Sequence, residues 1–345
     1  MMKNVKKLFA ALLVTAMALA TLTACGSKTE APAQDNSGSA DSSNDSAATT
    51  TLDYPTKDIT VIVPYGAGGT TDLCVRGVLD AVDKSVVTKN FMVSNVTGGS
   101  GLVGASQFVN AKSDGYTIGV LNCDLVLNNV LGNTDITSDQ FVPLACIEND
   151  PYLFIVSKDA PYQTFEEFVE YAKAHPGEVT VADTGAGAAP HLGYLALTQD
   201  LGLDLKTVAY DSAADSVVAV VSGEVQAAIT ASGAAVGQMD GGNVVALAVT
   251  SNERLSTYPD VPAMGELYTE LANMQVNSWI MMAVKADTDP EIISFLQDAF
   301  APAAVSDAYK TTQEGFFFQP VEEMNNEDML NFVADQHSYY ESLLK

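Results

Sequence analysis

The sequence predicts an α/β fold in two domains, and three observations carry that prediction. Short apolar runs alternate with stretches of helical spacing from Tyr54 onward. The order strand, Gly-Ala-Gly turn, helix occurs twice, at residues 66–68 and again at residues 185–187. The 345 residues are 47% hydrophobic and 17% charged, which is enough to bury the cores of two domains. Alternating strands and helices are typical of layered α/β proteins.

The predicted strands are short runs rich in β-branched and aromatic residues, bounded by glycine, proline or polar residues. The first half of the chain contains DITVIVPY, FMVSNV, YTIGVLNC, FVPLACIE and YLFIVS. The second half contains EVTVADTG, LKTVAYD, VQAAIT, VVALAVT, NSWIMMAVK and the short FFFQPV. Runs of this length suit strands better than helices.

The predicted helices have apolar residues at helical spacing and recognisable ends. The stretch TFEEFVEYAKAH begins with a capping box, Thr164 and Glu167, and ends at Pro176-Gly177. Pro290 stands near the first turn of DPEIISFLQDAF, where proline is favoured. The other predicted helices are TDLCVRGVLDAV, GLVGASQFVNA, PHLGYLALTQDLG, AADSVVAVVSGE and NEDMLNFVADQHSYYESLLK.

The start of the chain has the pattern of an exported lipoprotein. Three lysines precede an apolar run over residues 8–24 that is too short and too abruptly ended for a membrane span. The run ends in Leu22-Thr-Ala-Cys25, which resembles a bacterial lipobox. Residues 1–24 are therefore predicted to be a signal peptide that is cleaved before a lipidated Cys25. An ordinary secretory signal with a chance cysteine is the alternative.

Residues 25–52 are mostly small and polar, and they are predicted to form a solvated tether. The protein is thus expected on the outer face of the cytoplasmic membrane, which it touches through its lipid anchor only. The formal net charge is −27, and loss of the signal-peptide lysines makes the mature chain more negative. Such a surface disfavours nucleic acid as a partner. Nothing in the pattern marks an interface, so a monomer is expected.

The sequence predicts neither a metal site nor a cofactor. Cys74, Cys123 and Cys146 lack metal-ligand spacing, and so do the three histidines. At most one disulfide can form among the three cysteines, and buried free thiols are the favoured interpretation. A dinucleotide fingerprint fails in both glycine loops, because Thr71 and Pro190 occupy its last position.

The two glycine loops are candidate anion sites. Glycine lets the backbone approach a ligand closely, and the first N–H groups of the following helix are unpaired and electropositive. Neither loop contains lysine or arginine, so amides and hydroxyls would hold the anion. Ligands of open α/β sheets bind at the carboxyl ends of strands, so the two loops, one per domain, are expected to face each other across a cleft. Tight turns without a ligand are the alternative.

Catalytic signals are weak in this sequence. The stretch Gly98-Gly-Ser100-Gly101-Leu102 lacks the final glycine of a G-x-S-x-G elbow. No pair of carboxylates is singled out by spacing. A secreted enzyme on a two-lobed scaffold, with Asp72 or His191 as its base, is the alternative to a binding protein.

Five stretches in order give a more specific identification. They are YPTKDITVIVPYGAGGTTDLCVR, GGSGLVGASQFVNAKSDGYTIGVLN, DTGAGAAPHLGYLAL, VVALAVTSNERLSTYPDVPAMGEL and NSWIMMAVKADTDPEIISFL. Together they resemble the substrate-binding receptors of tripartite tricarboxylate transporters, the Bug family, from Tyr54 to the C-terminus.

The resemblance implies a type II periplasmic-binding-protein fold, a Venus flytrap with a central cleft that closes by hinge motion. It places domain 1 in residues 53–156 and 277–345, and domain 2 in residues 157–276. It implies a receptor that is not an enzyme and that delivers a small carboxylate-bearing solute to a membrane permease of one large and one small subunit. A ligand-sensing subunit of a signalling system has the same sequence features and stays an alternative.

Two departures from the family bear on the solute. Family members commonly carry YKG where this chain has Tyr210-Asp211-Ser212, and an aromatic-Asp pair where it reads AAITASGA. An added acid and a lost lysine disfavour a tricarboxylate and favour a monocarboxylate or an amino-acid-like zwitterion. Trp279 either packs in the core or lines the cleft. The predicted ligand-binding residues are Tyr65, Gly68, Gly69, Thr70, Thr71, Asn122, Thr184, Gly185, Gly187, Ala188, His191, Tyr210, Ser232 and Trp279.

Overall fold

The computed structural model describes residues 52–344, which fall in one compact unit. The predicted signal peptide, Cys25 and nearly all of the predicted tether lie outside these residues. Two five-stranded sheets organise the described part of the chain. Within it, no helix has both the length and the apolar character that a membrane span requires.

The first sheet has the strand order β2-β1-β3-β10-β4, and the second has the order β7-β6-β8-β5-β9. In each sheet three neighbouring strands are parallel, and the remaining pairings are antiparallel. The strands are β1 Ile59–Val63, β2 Phe91–Asn95, β3 Thr117–Asn122, β4 Phe141–Pro151, β5 Leu153–Ser157, β6 Thr180–Asp183, β7 Lys206–Ala209, β8 Ala227–Thr230, β9 Val244–Val249 and β10 Asn277–Lys285.

Helices cover both sheets, as the alternating sequence pattern predicts. They are α1 Thr70–Ala81, α2 Leu102–Val109, α3 Cys123–Val130, α4 Phe165–Ala174, α5 Pro190–Gln199, α6 Ala213–Ser222, α7 Ser232–Asp240, α8 Met264–Leu267, α9 Pro290–Ala304, α10 Asp307–Gly315 and α11 Asn326–Leu344. The predicted α/β architecture is therefore confirmed.

The chain passes from the first sheet to the second between β4 and β5, and it returns between β9 and β10. The outward crossing lies at Tyr152, because β4 ends at Pro151 and β5 begins at Leu153. The predicted crossing near residue 156 instead falls inside β5, whose residues pair with β8 and β9. The division into two domains that move as separate bodies stays a prediction.

Four helices and one strand differ from the sequence prediction. The helices α3, α7, α8 and α10 are not predicted. Helix α3 follows β3 without a loop because the Asn122 side chain accepts a hydrogen bond from the backbone N–H of Leu125 at 3.1 Å and caps the helix. The predicted strand over residues 316–321 is wrong. Phe317 has a φ of 63°, a left-handed conformation that interrupts an extended run.

Candidate ligand-binding site

The first glycine loop joins β1 to α1 and is fixed by Asp72, a carboxylate in the first turn of the helix. The backbone N–H of Gly68 donates to Asp72 at 2.9 Å, Arg76 Nε donates at 3.0 Å and Asn95 Nδ2 donates at 2.9 Å. Burial alone would raise the pKa of Asp72, but these hydrogen bonds outweigh it and lower that pKa. Asp72 is therefore ionised and stabilises the loop through these hydrogen bonds. It is a poor candidate for a general base.

The Asp72→Asn variant is expected to lose about 1–3 kcal/mol of stability, because an amide replaces the charged acceptor of these bonds. Urea unfolding at pH 7 measures the loss. Asp298→Asn, at an exposed position on α9, is the matched control and should change little. Equal stability of the two variants would contradict the assigned role.

The second glycine loop joins β6 to α5 and is fixed by the fully buried Asp183. This carboxylate accepts hydrogen bonds of 2.7 Å from the backbone N–H of Gly185, from Thr207 Oγ1 and from His191 Nδ1. Burial raises the pKa of Asp183, but the bonds from His191, Thr207 and Gly185 outweigh burial, so the pKa is lowered. Asp183 thus orients the His191 ring beside the loop. The hydrogen bond to Asp183 already uses His191 Nδ1.

A single carboxylate, Asp124 at the start of α3, connects the two loops. Tyr65 Oη, from the first loop, donates to Asp124 Oδ2 at 2.8 Å and accepts from Asn122 Nδ2 at 2.7 Å. The backbone N–H of Ala189, from the second loop, donates to Asp124 Oδ1 at 3.4 Å. The structure therefore brings the two predicted loops to one point, and it adds a carboxylate that sequence reasoning missed.

Contacts between the second loop and α3 extend this arrangement. Asn128 is buried, and its side-chain amide donates to the backbone oxygens of Gly187 at 3.2 Å and Asp124 at 2.8 Å. Asn133 Nδ2 donates to Asn128 Oδ1 at 2.9 Å and fixes the orientation of the amide. Sequence reasoning missed Asn128 because α3 itself is not predicted.

A third loop, residues 98–101, reaches the same place. All four residues have positive φ angles, and one of them, Ser100, is not glycine. A Cβ atom on Gly187 would lie 3.9 Å from Ser100 Oγ, so this loop approaches the second glycine loop. Ser100 therefore holds a left-handed backbone conformation beside the second glycine loop.

Several amides predicted to bind ligand already have partners within the chain. The N–H of Gly69 donates to Gly66 O at 3.3 Å, and the N–H of Ala188 donates to Gly185 O at 3.0 Å. The N–H groups of Gly68 and Gly185 donate to carboxylates, as described above. In the first turn of α1, the N–H groups of Thr70 and Thr71 have no intrahelical partner by the geometry of a helix. These two amides are the best donors for a ligand on the first loop.

Three predicted ligand residues lie elsewhere in the fold. Trp279 has no exposed surface, and its indole N–H donates to Gln336 Oε1 and Tyr340 Oη of α11, both at 3.1 Å. The structure thus favours the core alternative for Trp279. Ser232 is buried at the start of α7, and its hydroxyl donates to Asp150 Oδ2 at 3.0 Å.

Tyr210 borders an acidic surface cavity of about 370 Å³ together with Asp211, Asp215 and Glu224. Asp211, the acid proposed from the sequence to shift solute selectivity, is exposed in this cavity.

The cysteines of the described residues, Cys74, Cys123 and Cys146, are buried free thiols. Among residues 52–344, no group of three or more His, Cys, Asp or Glu side chains is arranged to hold a metal ion.

Comparisons with known proteins agree with this fold. Residues 75–345 match the family model described as tripartite tricarboxylate transporter family receptor. A UPF0065 protein of Bordetella pertussis is 28% identical over 291 residues, which cover 82% of this chain and 87% of the relative.

Two solved structures are similar over most of their length. A TctC solute-binding protein from Polaromonas superposes with a TM-score of 0.72 at 29% identity, covering 84% of this chain and 99% of the other. MatC from Rhodopseudomonas palustris with bound malate superposes with a TM-score of 0.71 at 24% identity, covering 85% of this chain and all of the other, which is a likeness of fold.

These matches establish a two-sheet periplasmic-binding-protein fold of type II. The matched family consists of extracytoplasmic solute-binding receptors, so the chain is a binding protein rather than an enzyme. The chain belongs to the tripartite tricarboxylate transporter receptor family.

Proposed function

We propose that this protein captures a small carboxylate-bearing solute between its two glycine-rich loops and delivers it to a tripartite permease of one large and one small subunit. The observation that carries the proposal is the convergence of both loops on one carboxylate, at 2.8 Å from Tyr65 Oη and 3.4 Å from the N–H of Ala189. Asp124 itself occupies that point, so the ligand carboxylate would be held beside it by the unpaired first-turn amides of α1 and would link the two lobes as they close.

The donors for the solute are neutral. The amides of Thr70 and Thr71 lie at the electropositive N-terminus of α1, and the threonine hydroxyls add further donors. Ser100 Oγ lies close to Gly187 of the second loop and would add a hydroxyl donor there. Affinity then comes from several hydrogen bonds in a closed cleft, with ordered water filling the gaps.

Closure of the cleft would be the signal that the permease recognises. The protein acts as a monomer, held to the outer face of the membrane by a lipid on Cys25. The interlobe contacts of Asn128 with Gly187 and of Ser232 with Asp150 support a closed form of this kind. A ligand that binds only the closed form shifts the population toward it.

A thermal-shift screen of the purified protein tests the proposal. The probes are acetate, propionate, malate, adipate, citrate and a set of amino acids, applied after bound ligand has been removed by unfolding and refolding. A ligand present at a thousandfold excess over its Kd stabilises the folded state by about 4 kcal/mol. We expect a clear shift with at least one carboxylate. The absence of any shift would contradict the proposal.

The Thr71→Val variant places the binding site on the first loop. Valine keeps the shape of threonine but removes its hydroxyl, so we expect Kd for the best carboxylate to rise about tenfold, the effect of one lost hydrogen bond to a charged group. Thr269→Val, at an exposed position, is the matched control and should leave Kd unchanged. Equal affinity of the two variants would remove the Thr71 hydroxyl from the site.

A further inference from the structure

A buried carboxyl group, Asp150 near the end of β4, lies where the chain leaves the first sheet. Asp150 is 4% exposed, and the crossing to the second sheet at Tyr152 follows two residues later. Ser232 begins α7, a helix that packs on β9 of the second sheet. Its hydroxyl oxygen lies 3.0 Å from Asp150 Oδ2 and 3.0 Å from the backbone oxygen of Phe317, in the segment after α10. Ser232 therefore connects the second sheet to two acceptors on the side of the first.

The hydroxyl of Ser232 cannot satisfy both acceptors when Asp150 is ionised. A serine hydroxyl has one hydrogen, so it donates either to Asp150 or to Phe317. A protonated Asp150 removes the conflict, because its O–H donates to Ser232 Oγ while Ser232 donates to the oxygen of Phe317. Asp150 Oδ1 still accepts from the backbone N–H of Gln319 at 3.4 Å. The contacts therefore favour the protonated acid in this arrangement of the chain.

The titratable groups that face Asp150 offer it no positive charge. They are Glu148 on the same strand, Cys74 on α1 and Tyr258 on the connection after β9, and the pKa of each is raised, chiefly by burial. Burial raises the pKa of Asp150 to about 7, and its two hydrogen bonds offset this only in part.

The arginines on the neighbouring elements are paired with other carboxylates. Arg76 on α1 lies 3.0 Å from Asp72, and Arg254 on the connection after β9 lies 2.9 Å from Glu266. None of the ion pairs within residues 52–344 includes Asp150. Three further charged residues of this region are acidic: Glu253, Asp335 and Asp240. An ionised Asp150 would thus be buried without a compensating charge, which is costly.

Residues 316–319 meet the second sheet's side of the molecule at two further points. The backbone N–H of Ser256, on the connection after β9, donates to Gln319 Oε1 at 3.0 Å. A Cβ atom on Gly233 would lie 3.1 Å from the backbone oxygen of Phe316, so α7 packs closely on this segment. Phe317 has a φ of 63°, which its surroundings must hold in place. Separation of the lobes would break these contacts and admit water to Asp150.

We propose that Asp150 is a proton-binding switch, which takes up one proton from solvent as the lobes close on the solute and returns it as they open. This inference rests on the proposed function and adds control by pH to the same closure. In the closed form, the protonated acid completes a chain of hydrogen bonds from Asp150 through Ser232 to Phe317. In the open form, water solvates the carboxylate and favours its ionisation.

The affinity for solute should therefore fall as pH rises. The closed form keeps the proton up to a pKa of about 7, whereas a solvated aspartate loses it near its ordinary value of 3.8. Between these values the closed form binds more protons than the open form. The gain in affinity is complete below pH 3.8 and is lost as pH rises through 7.

Isothermal titration calorimetry at pH 5.5 and pH 7.5 tests this inference, with propionate, malate and adipate as probes. We expect the Kd of each probe that binds to rise at least tenfold between these pH values. Titrations in buffers of different ionisation enthalpy should show proton uptake at pH 6. Asp150→Asn should abolish the pH effect on the same probe, because an amide donates to Ser232 at either pH. Asp298→Asn, an exposed control, should behave like the wild type.

The outcomes separate this inference from the proposed function. If a probe binds with equal Kd at both pH values, the inference fails while the carboxylate receptor stands. If no probe binds at either pH, the proposed function fails and this inference fails with it. A pH effect that persists in Asp150→Asn would overturn the role of Asp150. Should that variant not fold, carbon-13 NMR of the wild type with the bound probe replaces it, and titration of the Asp150 carboxyl near 3.8 would overturn the role equally.

Discussion

The Glu148→Gln variant, without ligand, is expected to be more stable than the wild type at pH 8 and to show a flatter dependence of stability on pH. The pKa of Glu148 is raised in the folded protein to about 8, from an ordinary value of 4.5. Between these values the folded state binds more protons than the unfolded state, so the contribution of Glu148 to stability is complete at pH 4.5 and below and is lost as pH rises toward 8. Asp150, with its pKa raised to about 7, adds to this fall.

Glutamine has nearly the same shape as glutamate and carries no charge to bury. One pKa unit corresponds to about 1.4 kcal/mol, so the difference between variant and wild type at pH 8 should reach several kcal/mol. Urea unfolding at pH 5 and pH 8 measures it, with Glu322→Gln as the exposed control. If the free energy of unfolding depends on pH in the same way for Glu148→Gln and wild type, burial does not raise the pKa of Glu148.

The Trp279→Ala variant is expected to lose about 4 kcal/mol of stability, the loss typical of a large aromatic side chain removed from a core. Trp279 is fully buried, packs edge-to-face on Phe332 and donates to Gln336 and Tyr340 of α11. Urea unfolding measures the loss. Trp279→Phe keeps most of the volume and should lose much less, because Tyr340 Oη still donates to Gln336 Oε1 at 2.7 Å.

The Trp279→Phe variant distinguishes the two roles considered for Trp279, a core residue and a residue that lines the ligand cleft. A core residue changes stability and leaves the ligand Kd unchanged for the molecules that stay folded. A cleft residue changes Kd with a small loss of stability. Trp279→Phe is expected to bind ligand as tightly as wild type, and a large rise in its Kd would restore Trp279 to the ligand site.

Local signals in the sequence predict much of the fold. Both Gly-Ala-Gly loops lie where the sequence pattern predicts them, with α1 beginning at Thr70 and α5 at Pro190. Thr164 caps α4 by accepting a hydrogen bond from the N–H of Glu167 at 3.2 Å, as the capping pattern predicts. These features depend on residues a few positions apart, so they can be identified without the tertiary structure.

The missed features depend on contacts between distant residues. Glu148 and Asp150 occur in the stretch IENDP, which resembles a polar strand end, and their burial follows from the pairing of β4 with β10 about 130 residues later. Asp124 lies in an eight-residue helix that follows β3 without an intervening turn, so neither α3 nor its place between the loops is evident from sequence. Asp211 shows the opposite error. Its sequence context predicted a position in the ligand cleft, whereas in the structure it is exposed in a surface cavity.

A crystal structure of the protein with its tightest-binding carboxylate would show directly whether the glycine loops bind the solute. We expect the ligand carboxylate to lie between the two glycine loops, with oxygens about 2.7–3.2 Å from the amides of Thr70 or Thr71 and from a donor of the second loop. A carboxylate found elsewhere would contradict it. One such place is the cavity of about 490 Å³ lined by Arg254, Gln275 and Asn277, where an arginine offers a different means of holding an anion.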